Sequence, residues 1–394
     1  MNGWHQLLER KNHVVIGLMS GTCTDGVDAA LVMIKGYGID TKVTLLNFLT
    51  IPYEEELRNL LLRIASGSYG GSYEISKANI LLGHLFAEAC AEVCKKGDMP
   101  IEKVDYIGSH GHTIYHQPQE EIYFGHRIHS TFQIGEAAII SERIKCPVIS
   151  DFRVRDMAAG GLGAPLVPYT EYLLYSESGK NIALQNIGGI GNITYLPANG
   201  DRDKILAFDT GPGNMIMDAL TAIYTNNRKT YDEGGKIAAK GKVQPELLAW
   251  LLQDKYIHNA PPKTTGREHY GEGFVSEILQ QIAIRNISLE DCIATTTMFT
   301  AKSIESSVIN HLPEMPECLI IGGGGSQNRT LLQFIKSCLS HCKVMTNEEL
   351  GMNSNAKEAI AFAILANETI YGISNNIPSA TGAKHKVVMG KLTQ

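Results

Sequence analysis

A chain of 394 residues exceeds what one hydrophobic core usually serves, so two domains are expected. Its 35 basic and 41 acidic residues are interspersed and leave a formal charge of -6, with no Lys/Arg block to bind nucleic acid or anionic lipid. Met1 to His13 mixes charges with Trp4, Leu7 and Leu8 and lacks a signal-peptide core, and no apolar run is long enough to span a bilayer, so the expected compartment is the cytoplasm. Among the eight cysteines, Cys90/Cys94 and Cys338/Cys342 share helix faces and read as buried thiols rather than zinc ligands.

Strand-like and helix-like runs alternate along the chain. Val14–Leu18, Ala29–Ile34 and Val43–Thr50 read as three adjacent strands joined by short turns, an antiparallel start to a sheet. A helix over Ile75–Lys96 follows, then buried strands at Val104–Ser109 and Val148–Asp151. Near residue 158 the pattern restarts, with strands at Asn181–Gln185, Ile193–Leu196 and Ile205–Asp209 and a helix from about Asn214. The echo predicts two related α/β domains across a cleft, with ligands at the carboxyl ends of the strands.

Three glycine-rich loops follow apolar strands. In Gly17–Asp28, backbone N–H groups and hydroxyls could converge on an anion, or the segment is a plain hairpin turn. Phe208–Asn214 is placed as its counterpart in the second half, with Asp209 either a general base or the cap of the next helix. After the strand Cys318–Ile321, Gly322, Gly323, Gly324 and Gly325 offer a flat surface for a base or ribose, or form a tight turn.

This organisation resembles the sugar kinase, heat-shock-70 and actin superfamily. The resemblance implies two actin-like, ribonuclease H-like domains with mixed five-stranded sheets flanked by helices and ATP in the interdomain cleft. The expected N-terminal domain is 1–157 plus approximately 372–394, and 158–371 is the C-terminal domain carrying the adenosine motif.

Motifs in order narrow it further. Gly17–Asp28 resembles the GLMSGTS-x-DG-x-D signature of the anhydro-N-acetylmuramic acid kinase family, with Cys23 where serine is usual. Ile107–Thr113 resembles that family's GSHGQT, with His112 in place of glutamine. Asp151–Asp156, Gly160–Pro168, Asn186–Gly189, Phe208–Asn214, Thr265–Glu268, Gly322–Gly325, Lys357–Phe362 and Thr381–Ala383 complete the series, which spans residues 17 to 383.

The resemblance implies an ATP-dependent kinase of cell-wall recycling that opens 1,6-anhydro-N-acetylmuramic acid with water and phosphorylates O6, giving N-acetylmuramic acid 6-phosphate and ADP. Asp209 would activate the water, and Glu358 would orient the sugar or merely compensate a helix terminus. ATP contacts are expected from Ser20, Gly21, Thr22, Cys23, Thr24, Asp25, Gly26 and Val27, from Gly211, Gly213 and Asn214, and from Gly322 to Gly325. Mg2+ would ride mainly on the phosphates, near Asp25. His110, Arg153 and Arg267 join Asp209 and Glu358 as sugar-site candidates, although Arg153 could instead pair with Asp151 or Asp156. A homodimer is implied, without nucleic-acid or membrane partners. Two rivals stay open: a superfamily kinase or phosphatase acting on a free sugar hydroxyl or phosphoanhydride, and a non-enzymatic ATP-driven protein clamp.

Overall fold

The computed structural model describes residues 7–21, 24–66, 71–177 and 179–394. From the N-terminus run β1 (Asn12–Ser20), β2 (Gly26–Lys35), β3 (Lys42–Pro52), α1 (Glu55–Ala65), α2 (Ser72–Lys96), β4 (Tyr106–Tyr123), β5 (His126–Ile134), α3 (Ala137–Ile144), β6 (Val148–Ser150), α4 (Phe152–Ala158) and α5 (Val167–Tyr175). Next come β7 (Ile182–Ile187), β8 (Ile190–Leu196), β9 (Leu206–Pro212), α6 (Met215–Tyr224), α7 (Pro245–Leu251), α8 (Lys255–His258), α9 (Arg267–Tyr270), α10 (Glu272–Arg285) and α11 (Leu289–His311). The chain ends with β10 (Cys318–Gly322), α12 (Arg329–Cys338), β11 (Lys343–Thr346), α13 (Lys357–Ile370), α14 (Pro378–Thr381) and β12 (Lys391–Thr393).

The chain divides into two compact units, Met1–Leu174 with Asn355–Gln394, and Tyr175–Ser354. These borders differ from the expected 157/158 and 371/372, and α13 explains the second difference. Its backbone lies directly on the first sheet: a Cβ on Gly17 would stand 1.7 Å from the Ala359 carbonyl oxygen, and one on Gly108 would stand 2.1 Å from that of Phe362. Only glycine permits such an approach, so α13 packs as part of the first unit.

In the first unit the strand order is β12-β6-β4-β1-β2-β3, with β5 paired to β4. Strands β1, β4 and β6 are parallel, and β2 runs antiparallel between β1 and β3. The second unit has the order β11-β10-β7-β8-β9, with β7, β10 and β11 parallel and β8 reversed. Both sheets therefore run third, second, first, fourth in chain order, with the second strand inverted. That repeat is the topology the actin-like resemblance implies.

The second sheet has the expected five strands, but the first has seven. Strand β4 continues past His112 as a two-stranded arm with β5, and β12 adds an antiparallel edge to β6. Between Tyr115 and Gln133 no residue of the arm is buried, and Ile122, Tyr123 and Phe124 are exposed at its tip, so no alternation of buried and exposed positions announces it.

Each sheet buries its inward side chains under amphipathic helices. Leu82, Phe86, Cys90 and Val93 of α2 meet Ile16, Leu18 and Leu31 in the first unit. Ile304 and Val308 of α11 meet Ile193, Phe208 and Leu319 in the second. The described cysteines are free thiols, most of them buried. Among the described residues, no helix is long and apolar enough to cross a membrane.

Candidate active site

The β1–β2 turn separates its glycines by purpose. Gly17 is required by α13, and a Cβ on Gly26 would lie 2.3 Å from the Ile51 carbonyl oxygen. At Gly21, by contrast, a Cβ would meet no described atom within 4 Å. Thr24 takes the left-handed conformation (φ 53°), and its N–H closes the turn on the Gly21 carbonyl at 3.0 Å. Asp25 is exposed, whereas the Val27 side chain is in the core, so only the backbone of Val27 is offered to a ligand. Ser20 is also buried: it accepts from the Tyr53 hydroxyl at 2.9 Å and meets His112 Nδ1 at 3.1 Å. Thr22 and Cys23 lie outside the described residues.

In the second unit the sequence-based placement of the matching turn is corrected. The counterpart of the β1–β2 hairpin is β7–β8, whose turn is Gly188–Gly189, while Phe208–Asn214 closes the third strand. The two segments interlock. Gly213 N–H donates to the Gly189 carbonyl at 2.9 Å and Asn214 N–H to the Gly188 carbonyl at 2.7 Å, and a Cβ on Gly213 would lie 2.2 Å from the Gly188 oxygen. The amides of Gly213 and Asn214 thus hold the hairpin, and Gly189 is the exposed residue at its tip.

The four-glycine turn after β10 divides similarly. A Cβ on Gly322, Gly323 or Gly325 would come within 2.6 Å of Asn347 Nδ2, 2.6 Å of Asn186 Oδ1 or 2.3 Å of Ile187 Cγ2, respectively. Packing therefore requires Gly323 and Gly325, whereas at Gly322 only the amide end of the Asn347 side chain stands in the way. At Gly324 the nearest atom is Asn214 Nδ2 at 3.7 Å, which leaves that backbone approachable.

Asp209 sits within β9 and does not cap α6, whose N-cap is Asn214. Its main chain is fixed on both sides, N–H to the Lys263 carbonyl at 3.2 Å and C=O from the Tyr256 hydroxyl at 3.0 Å. Its Oδ2 accepts from Thr264 Oγ1 at 2.8 Å and from Thr265 N–H at 3.0 Å. Both anchors fall on one oxygen, so Oδ1 has no partner among the described residues and can take a proton. Burial raises the carboxyl above the usual aspartate range, opposed by the two donors, while Glu268 raises it further and Lys263 lowers it. Thr264, Tyr256 and the backbone N–H of Thr265 were missed as anchors from the sequence. Their only signal was the adjacent Thr265–Glu268 motif.

In the first unit, Arg153 pairs with neither Asp151 nor Asp156. Its Nε donates to His110 Nε2 at 3.0 Å and its Nη1 to the Gly163 carbonyl at 2.7 Å, leaving Nη2 without a partner among the described residues. Asp151 meets Lys391 at 3.2 Å instead. Buried Asp156 accepts from Gly163 N–H, Asn376 and Thr381, tying the Gly160–Pro168 and Thr381–Ala383 motifs together as structure. Burial and the adjacent Arg153 cation push His110 well below the usual imidazole range, so it is neutral. Its Nδ1–H donates to the Gly111 carbonyl at 3.1 Å, and its Nε2 orients Arg153. His116 is likewise lowered, to about 4, by burial and Arg153, and hydrogen-bonds Thr131.

Glu358 stands in the first turn of α13 beside Lys357, which pairs with Glu171. Solvent reaches it, yet the surrounding protein raises its carboxyl; Asp28 acts in the same direction, and Lys357 and Arg153 oppose. Arg267 is exposed at the start of α9 and lines a cavity of about 740 Å³ with Met215, Ile223, Tyr270 and Leu279.

The repeated sheets, each with a glycine hairpin at its first turn, define an actin-like α/β protein, and the chain resembles named kinases throughout. Residues 13–394 match the family described as anhydro-N-acetylmuramic acid kinase. A protein of that name from Caldanaerobacter subterraneus subsp. tengcongensis is 49% identical over 390 residues, covering 98% of each chain. One from Bacillus cereus is 47% identical over 387 residues, 96% of this chain and 98% of its own, and one from Clostridioides difficile is 46% identical over 380 residues, 96% and 97%. The chain belongs to the anhydro-N-acetylmuramic acid kinase family.

Proposed function

We propose that this protein uses ATP to open 1,6-anhydro-N-acetylmuramic acid and phosphorylate its O6, releasing ADP. One observation carries the mechanistic part: Asp209 is held through Oδ2 alone, with Oδ1 left to take a proton. The anhydro sugar has no free 6-hydroxyl, because O6 is bonded to C1. Oδ1 takes a proton from water as the water oxygen bonds to C1. The C1–O6 bond breaks, and O6 bonds to the γ-phosphorus as the bond to ADP breaks. The carboxylate also steadies positive charge developing at C1. Arg153 Nη2 and Arg267 are the cations proposed for the acidic lactyl group, with Glu358 orienting the sugar and His110 holding Arg153 in place.

The proposed ATP contacts are the backbone of Ser20 to Val27, the Gly188–Gly189 turn with Gly211, Gly213 and Asn214 as its support, and the turn at Gly322 to Gly325, where Gly324 is the approachable member. Among the described residues no group of three acidic, imidazole or thiol side chains is placed to hold a metal. A magnesium ion would then be carried by the triphosphate and water, with Asp25 as a candidate outer ligand, and would neutralise charge on the transferring phosphoryl group. The proposed setting is the cytoplasm, where ATP is supplied, in recycling of cell-wall amino sugar. A homodimer is also proposed. The exposed arm tip, Phe124 at 87% and Ile122 at 77%, is apolar surface that supports it, and sedimentation at the mass of one chain would exclude it.

The test offers purified protein ATP with either 1,6-anhydro-N-acetylmuramic acid or N-acetylglucosamine. ADP release dependent on the anhydro sugar is expected. Preferential transfer to the free 6-hydroxyl would favour an ordinary sugar kinase, and absence of turnover with either sugar would favour a clamp.

A further inference from the structure

Strand β4 reaches the first glycine turn through a bulge. Leu18 pairs with Ser109 but Ser20 with His112, so β4 spends three residues where β1 spends two. Gly111 makes this possible: its φ is +78°, and a Cβ there would stand 2.6 Å from the Ile134 carbonyl oxygen. The extra residue turns the His112 imidazole toward the Ser20 hydroxyl.

Tyr53, just past β3, grips the same turn at both ends. Its N–H donates to the Asp25 carbonyl at 3.0 Å and its hydroxyl donates to Ser20 Oγ at 2.9 Å. Since Ser20 accepts from Tyr53, its own proton is directed to His112 Nδ1 at 3.1 Å. That direction requires a neutral imidazole with its hydrogen on Nε2, and burial does lower His112, to about 4. Burial together with Asp25 and Asp28 keeps the Tyr53 hydroxyl protonated. His112 Nε2 is buried without a partner among the described residues. An unpaired buried donor is costly, so the chain retains the ring for what Nδ1 does.

We propose that Tyr53, Ser20 and His112 form a hydrogen-bonded relay that sets the first glycine turn for nucleotide, making His112 a positioning residue for ATP. The relay occupies the Ser20 hydroxyl, so the turn presents backbone rather than this side chain to phosphate. The inference rests on the proposed binding of ATP at this turn. The part taken by His112 is nevertheless a property of this chain's own bulge and ring. Glutamine at the same position could accept from Ser20 through its amide oxygen.

The test measures steady-state kinetics on full-length Tyr53→Phe, His112→Leu, the double variant and His112→Gln. Thermal midpoints accompany them to confirm folding. Each of the first two should raise KM for ATP about tenfold, the change expected from one buried hydrogen bond, with kcat and KM for the sugar within about twofold. The double variant should match the larger single effect, because both substitutions break one relay, and His112→Gln should restore KM to within about twofold of native. Multiplication of the two effects to about a hundredfold would overturn the relay, as would an unchanged KM for ATP in His112→Leu. If the unaltered protein shows no ATP turnover with the sugar, the functional reading itself fails, which is a distinct outcome.

Discussion

Asp209→Asn is expected to bind ATP as tightly as the native protein while kcat with the anhydro sugar falls by about 10²–10⁴-fold, the range that general-base catalysis contributes. Asparagine fills the same space and its amide oxygen can still accept from Thr264 and Thr265, so the β9 backbone should hold its place. What disappears is a group able to take a proton from water. The pH profile carries a second signature. The base works only when ionised, and its carboxyl is raised by burial. Native activity should therefore be present above that raised pKa and be lost as pH falls through it, on an acid limb lying higher than an ordinary aspartate would give. The residual rate of Asp209→Asn should lack this limb. Isothermal titration of ATP and rate measurements from acid to neutral pH decide both points, and a variant within tenfold of native would remove Asp209 from the role.

Gly17→Ala is expected to have the largest effect on stability. Its Cβ would lie 1.7 Å from the Ala359 carbonyl oxygen and 3.0 Å from Ala363 N, both backbone atoms of α13. No rotamer change relieves that overlap, so β1 and α13 must separate. A cost of about 3 kcal/mol or more follows, at the top of the usual range for overpacked cores. In a unit of this size the thermal midpoint should drop by roughly 6–12 °C. Gly21→Ala, four residues away, meets no described atom within 4 Å and should leave the midpoint unchanged while weakening ATP binding. Calorimetry on the pair tests whether the two glycines serve different ends. Equal losses of stability would contradict the division.

The contrast between Gly17 and Gly21 also marks how far the sequence could be read. Alternating strand and helix runs located β1 to β3 and β7 to β9, and the apolar run before Asp209 set that carboxylate on a strand. Glu358 could be placed in the first turn of a helix, because the motif opens an apolar stretch. A glycine, however, looks the same in sequence whether its missing Cβ admits a phosphate or a helix carbonyl. That is why Gly323 and Gly325 read as ligand surface when the side chain and main chain of Ile187 require them. The misplaced second turn has a different origin. In sequence the Asp209 loop has the same strand-then-glycine form as the first turn, whereas topology puts the hairpin equivalent at Gly188–Gly189. Partners such as Thr264 for Asp209, or Tyr53 and His112 for Ser20, depend on strand register and loop return, which no local pattern encodes. The outer β4–β5 arm gives no signal because none of its residues between Tyr115 and Gln133 is buried, so they carry no apolar period.

Turnover in heavy-oxygen water tests the central claim most directly. If water activated by Asp209 attacks the anomeric carbon while O6 departs to phosphorus, the heavy atom enters the product at C1 and the phosphate stays unlabelled. Label in the phosphate, or a phosphorylated sugar formed without label at C1, would contradict the account.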